Sequence, residues 1–284
     1  MAAGPVPEVL APVSARRLYT VAHGENRRGK CRHSGLFHDE LERQRSACPT
    51  DADSVERRVV TWRGTQDDSR ARYLAKFDEA EAERWNETVA ALGRTDVDAY
   101  LSDLARVFQF RPGMAVLDVG AGTGALCVVL ARLPGLAMTA LEPAPAMLAR
   151  LTRRAGLESV VAVQGFCDAR LDRRLFGAAQ FDVIVSRQLV NGLFDPLTAF
   201  DNWRHWLKPA GAVVAIDGAY GRDAWSGAWQ EEVDMLPLSA TQSAATVPYL
   251  LEVAGFAVET VRWMDAVNAL PATRTSRYVV VARK

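Results

Sequence analysis

From Met114 onward, short apolar runs alternate with helix-length segments, and this alternation constrains the fold more than any other feature. AVLDVG, AMTALEP, VVAVQG, FDVIVSR and GAVVAIDG read as strands, with ALCVVLARL, PAPAMLARLTRRAG and PLTAFDNWRHWL as helices between them. Strands that are apolar along their whole length must be covered on both faces, as in a parallel sheet flanked by helices. Right-handed crossovers then give a doubly wound α/β architecture. A helix through ATVPYLLEVAG leads to AVETVRWM and RYVVVARK, two strands with no helix-length segment between them. The expected fold is therefore α/β, a doubly wound and mostly parallel seven-stranded sheet ending in an antiparallel strand.

Upstream the character changes. Residues 1–66 are rich in Arg, Pro, Gly and Ser, with one helix expected around GLFHDELERQRSA, and read as an N-terminal extension. Residues 67–110 read as a helical region: one helix through RARYLAKFDEAEAERWNETVAALG, stopped by Gly93, and a second through DVDAYLSDLARVF. Residues 111–284 form the α/β domain.

Composition narrows the function. The 284 residues carry 34 basic and 34 acidic side chains, so the formal net charge is zero. Nucleic-acid binders show a basic surplus that neutralises phosphates, so no nucleic-acid partner is expected. No apolar run approaches the roughly 18 residues of a membrane span, and no membrane partner is expected. The opening MAAGPVPEVLAPVSARR has its basic residues after its apolar part, the wrong order for a secretory signal. Four cysteines without a pairing pattern fit a reducing, cytoplasmic setting. CRHSGLFH with Cys48 offers Cys and His in a spacing that matches no common zinc module.

In open α/β sheets ligands lie beyond the carboxyl ends of the strands. The first strand ends in LDVGAGTG, where glycines let backbone come close to a ligand. The dinucleotide fingerprint is G-x-G-x-x-G. Here the third glycine of Gly120-x-Gly122-x-Gly124 arrives one residue early, and Asp118 stands two residues before the first. An acid there suits a ligand carrying ammonium and sulfonium charges better than a pyrophosphate.

This D-x-G-x-G-x-G resembles motif I of the class I S-adenosylmethionine (AdoMet) dependent methyltransferases, and the resemblance extends over roughly residues 70–284. It implies AdoMet as cofactor, S-adenosylhomocysteine (AdoHcy) as product, and Asp118, Gly120, Ala121, Gly122 and Gly124 as the cofactor loop. It implies Glu142, at the end of the second strand, as acceptor of the ribose hydroxyls. A carboxylate matches a vicinal diol with two hydrogen bonds. Asp168 would accept from the adenine amino group, with Phe166 and Cys167 where a plainer Gly-Asp pair is common. Pro143, Ala144 and Met147 would wall the adenine.

After the fourth strand SRQLVNGLFDP replaces the N/D-P-P-aromatic motif of nucleic-acid amino-methylating members and resembles the small-molecule ones. Ser186 and Arg187 would face the cofactor, and Gln188 and Asn191 the acceptor or the cofactor. After the fifth strand, IDGAYGRDAWSGAWQEEVDMLPL reads as an acceptor wall. Asp217 or Tyr220 would take or steer the acceptor's proton. Arg222 would bind the acceptor, and Trp225 and Trp229 would either stack on it or pack a helix. Tyr73, Phe77 and Trp85 fit a cap over the cofactor, with Arg72 or Lys76 meeting its carboxylate; helical amphipathicity accounts for the same residues. His205, between Trp203 and Trp206, reads as a structural histidine. No metal is expected, because Ser186 stands where metal-dependent members need an acid. The implied activity is direct in-line methyl transfer to an amine or hydroxyl of a small molecule. A carbon, RNA or protein acceptor, or a non-methylating regulator or cyclase of the same fold, stay open as alternatives.

Overall fold

The structure, a computed structural model, describes residues 64–221, 233 and 235–284. Most of the expected N-terminal extension, including both readings of its CRHSGLFH region, lies outside the described residues, as do Arg222, Asp223, Trp225 and Trp229.

The strands are β1 (Ala115–Val119), β2 (Ala137–Glu142), β3 (Val161–Gln164), β4 (Phe181–Arg187), β5 (Leu207–Gly218), β6 (Ala257–Trp263) and β7 (Arg277–Arg283). They form one seven-stranded sheet in the order β3-β2-β1-β4-β5-β7-β6. The first five run parallel, and β7 is antiparallel to both β5 and β6. Strand order reverses at β1, between β2 and β4, which puts the carboxyl end of β1 at the switch point where such sheets bind ligands.

The helices are α1 (Gln66–Lys76), α2 (Glu79–Ala90), α3 (Arg94–Ala105), α4 (Ala125–Leu130), α5 (Pro145–Thr152), α6 (Pro196–Trp206), α7 (Thr246–Val253) and the single turn α8 (Asp265–Asn268). The long helix expected over 70–93 is two helices. Asp78 caps α2, its side chain accepting from the Glu81 amide at 2.9 Å, and Phe77 leaves helical geometry at φ −90°, ψ 55°. This side-chain cap offers the backbone an alternative to continuing the helix. The elbow packs Phe77, with Tyr73 of α1 and Ala82 and Trp85 of α2, against Ala146 and Met147 of α5. Thr65 and Asp68 close a capping box at the start of α1. β5 begins at Leu207, earlier than expected, and its register with β4 slips between Phe181 and Val183.

Each sheet face has its own core. Leu117, Val119, Ile184 and Val213 pack on Phe200, Trp203 and Trp206 of α6. Val116, Val183, Val185 and Val214 pack on Tyr100, Leu104, Leu126 and Leu130 of α3 and α4. Alternate residues of one strand thus serve opposite layers. Trp203 and Trp206 are fully buried, and His205 between them is partly exposed. Among the described residues no helix is long and apolar enough to cross a membrane.

Candidate functional site

A cleft of about 330 Å³ opens beyond the carboxyl ends of β1, β2 and β4. The glycine loop forms its floor. Gly120 and Gly122 have φ of 69° and 57°, a region that glycine enters without steric cost. A Cβ on Gly120 would lie 2.7 Å from Leu189 Cδ1. Three of the loop's amides are already engaged: those of Gly120 and Ala121 donate to the Leu141 carbonyl at 2.8 and 3.1 Å, and that of Gly122 to Glu142 Oε2 at 3.0 Å. The glycines therefore provide close approach rather than a cradle of N–H donors. Gly124 has another task. At φ 94° it starts α4, where a Cβ would fall 3.0 Å from Leu157 Cδ1 and 3.3 Å from Leu151 Cγ, and it does not line the cleft.

Two buried carboxylates face this floor. Asp118 accepts from the Cys127 thiol at 3.2 Å. Burial pushes its carboxyl up to about 7, opposed by the Cys127 hydrogen bond and the charge of Arg187. Glu142 accepts from the Ala144 amide at 2.9 Å and the Tyr73 hydroxyl at 3.3 Å, besides Gly122. Burial raises it to about 7 as well, against those same hydrogen bonds. Two carboxyls held near neutrality in an apolar cleft are poised to ionise when a cation or a hydrogen-bonding ligand arrives. Burial raises the Cys127 and Cys167 thiols, which disfavours the thiolate form at both.

A side cleft of about 50 Å³ continues from the first, lined by Pro143, Phe166, Cys167, Asp168 and Leu189. Asp168 is already engaged: Oδ1 meets Arg70 at 3.0 Å and Oδ2 the Phe194 amide at 3.0 Å. The Arg70 guanidinium lies 4.5 Å from the Phe166 ring centroid. Arg70, which sequence reasoning passed over, thus closes this end from α1.

The elbow after α1 brings Tyr73, Phe77, Trp85 and Val89 to the mouth of the main cleft. Arg72 and Lys76 do not line it; Arg72 reaches toward Met235 Sδ at 3.8 Å. Met147 lines the main cleft, whereas Ala144 is buried in the α2–α5 contact. Ser186 is buried in β4 beneath the floor, its hydroxyl without a partner. The next residue contributes more than its backbone, for the Arg187 side chain lines the cleft and its Nε donates to Tyr100 Oη at 2.9 Å.

Gln188, Asn191 and Tyr220 all line the cleft near the end of β5, with Val233, Leu236 and Ser239. Asp217 does not. It is 2% exposed and accepts from the Gly218 and Asn191 amides at 2.7 and 3.2 Å, under the loop that follows β4. Burial lifts its carboxyl to about 6 against those bonds. The two expected proton-handling residues are thus separated, Tyr220 on the wall and Asp217 behind it. His205 lines a different depression with Arg173, Arg204 and Lys284. Among the described residues no three His, Cys, Asp or Glu side chains gather as a metal site.

A family model described as a methyltransferase domain matches residues 117–213, from β1 into β5. Over residues 117–213 the chain carries a methyltransferase domain. The ubiquinone biosynthesis O-methyltransferase of Xylella fastidiosa (strain 9a5c) is 37% identical over 101 residues, 36% of this chain and 40% of that one. The chain thus spans about 40% of the length of the curated relatives it matches. A SAM-dependent methyltransferase from Aquifex aeolicus superposes with a TM-score of 0.52 at 20% identity, covering 73% of this chain and 99% of its own. One from Mesorhizobium loti gives 0.51 at 19%, covering 66% and 100%. At such identities the superpositions speak for the fold. The floor fits AdoMet: Gly120 and Gly122 bring bare backbone to the cleft, and the buried carboxylates of Asp118 and Glu142 line it.

Proposed function

We propose that this protein transfers a methyl group from AdoMet to a hydroxyl of a small, largely apolar molecule. When bound, AdoMet supplies a methyl group already activated on a sulfonium, so the protein's part is to bind, orient and exclude water. Glu142 would take the ribose diol, its Oε2 retaining a lone pair and the long Tyr73 contact giving way. Asp118 would answer the ammonium and Arg187 the carboxylate of the methionine portion. Pro143 and Leu189 would flank the adenine, with Asp168 and Arg70 at its edge. Phe77, Trp85 and Val89 would cover the reacting atoms from above.

The observation that carries the choice of acceptor is the character of the wall around Tyr220. Leu189, Val233 and Leu236 are apolar, and Gln188, Asn191, Tyr220 and Ser239 are neutral. An amine arriving as its ammonium ion would need a base there to free its lone pair, and Asp217 is held under the loop by backbone amides. A neutral hydroxyl needs only a hydrogen-bonding partner to orient it; as the O–C bond forms and the S–C bond breaks, its proton is released to bulk solvent through the open mouth of the cleft. The O-methylating activity named for the Xylella relative agrees with this choice.

The test is calorimetric binding of AdoHcy followed by transfer of labelled methyl from AdoMet to a panel of phenols, alcohols and amines. Binding with transfer to hydroxyls supports the reading. Transfer to amines alone, or binding without transfer to any acceptor, would overturn it, the latter favouring a non-methylating role.

A further inference from the structure

Three unusual features converge on one phenol oxygen at the end of β5. Gln188, with φ 55°, is held in the left-handed region that side-chain-bearing residues rarely occupy, and its Nε2 donates to Tyr220 Oη at 2.8 Å. Arg277 of β7 donates to the same oxygen through Nη1, with its guanidinium carbon 5.3 Å from the Tyr220 ring centroid. Gly218 stands opposite Arg277 in the β5–β7 register. A Cβ there would fall 2.8 Å from Cε2 and Cζ of Tyr220 and nearer still to Arg277 Nη1. Glycine at 218 is thus needed for clearance, so that the two side chains can meet above the strand end. Strain and missing bulk concentrated around one group are the marks of a constraint imposed by function.

The position of that group is set by the sheet. Glu142 ends β2 and Tyr220 follows β5, three strand spacings away in the order β2-β1-β4-β5. At about 4.8 Å per spacing this is roughly 14 Å, the reach from a ribose site past the methionine portion to an acceptor. Arg277 itself does not line the cleft, so it acts through Tyr220.

We propose that Arg277 is a positioning residue for the acceptor: through Tyr220 it fixes where the hydroxyl-bearing end of the acceptor docks. Gln188 shares the task from the end of β4, and Gly218 makes room for the Arg277–Tyr220 pair. The inference rests on the reading of the cleft as a hydroxyl methylation site and adds the residue that orders its far wall. A charge-assisted hydrogen bond to the phenol is stronger than a neutral one and directional. Losing it removes the charged hydrogen bond to the phenol oxygen and leaves the neutral one from Gln188.

The test uses full-length protein labelled with fluorotyrosine, the Tyr220 fluorine resonance being assigned by its loss in Tyr220→Phe. In AdoHcy-saturated wild type, adding phenol shifts the Tyr220 resonance. Arg277→Gln moves that resonance without ligand and weakens phenol binding by about tenfold, the worth of one charged hydrogen bond. It leaves the AdoHcy affinity unchanged. Arg277→Lys recovers part of the phenol affinity, and Gly218→Ala, which crowds the pair apart, reproduces the shift. An unmoved Tyr220 resonance in Arg277→Gln, unchanged phenol binding, or an equal loss of AdoHcy binding would overturn the proposal, as would a wild-type Tyr220 indifferent to phenol. If wild type fails to bind AdoHcy, the methyl-transfer reading falls, while the ligand-free shift still decides whether Arg277 holds Tyr220.

Discussion

Replacing Asp118 with Asn separates stability from function in opposite directions. The buried Asp118 carboxyl is raised to about 7 from its ordinary 3.8, chiefly by desolvation. Because the folded-state value lies above the unfolded one, its contribution is fully present below about pH 4 and is lost as the pH rises through about 7. A shift of about 3 units corresponds to roughly 4 kcal/mol between the protonated and ionised forms in the ligand-free fold. Asn keeps the shape and an oxygen for the Cys127 thiol, now 3.2 Å from Asp118 Oδ2, and cannot ionise. Ligand-free Asp118→Asn and wild type should therefore be similarly stable near about pH 4, where both are neutral at this site. Near about pH 8 the variant should be more stable by up to about 4 kcal/mol, a rise of about 2 M in the urea midpoint for a slope of about 2 kcal/mol/M. The same change removes the negative charge offered to the ligand, so AdoHcy affinity should fall. Urea titrations at several pH values, with calorimetry for AdoHcy, read both effects. If the variant is no more stable than wild type near about pH 8, Asp118 is not a strained carboxyl and the account of the cleft is wrong.

Glu142→Gln should weaken AdoHcy binding by about 10- to 100-fold, one or two charged hydrogen bonds to a diol, as measured by calorimetry. Unchanged affinity would remove Glu142 from the ribose site. Gly120→Ala should reduce AdoHcy affinity and cost roughly 1–2 kcal/mol of stability from a side chain at positive φ. Its Cβ would sit 2.7 Å from Leu189 Cδ1, so Leu189→Ala in the same protein should restore part of the binding. A complete lack of recovery would place the whole defect in the backbone.

The sheet was legible because buried strands leave apolar runs and the sequence between them is helix-length. FDVIVSR is β4 residue for residue, and the AVETVRWM–RYVVVARK pair is β6 and β7. The elbow at Phe77 was missed although its signal was present: Asp78 three residues before Glu81 is a helix start. The helix-forming run EAEAERW around it concealed the break. That Asp118, Glu142, Gly120 and Gly122 line a cleft was legible from the loop and strand ends. Gly124 shared their pattern, but its clearance is spent on Leu151 and Leu157.

What the sequence could not show are contacts between segments far apart along the chain. Arg70 meets Asp168 across 98 positions, and Arg277 meets Tyr220 across 57. Neither spacing leaves a local pattern, since a salt bridge or a strand register is set only when the sheet closes. Asp118 and Asp217 illustrate the same division. Each is an acid near the carboxyl end of an apolar strand, and sequence alone offers both as site residues. Folding turns Asp118 to the cleft, while the amides of Asn191 and Gly218 draw Asp217 beneath the following loop. The sequence by itself determined the strand order's raw material, the glycine floor and the acids at the sheet's edge, because these depend on neighbours a few residues away. Only the tertiary structure decided which acids face the cleft and which distant side chains hold them, because the pleat and the crossing loops orient a side chain after its position in the strand is fixed.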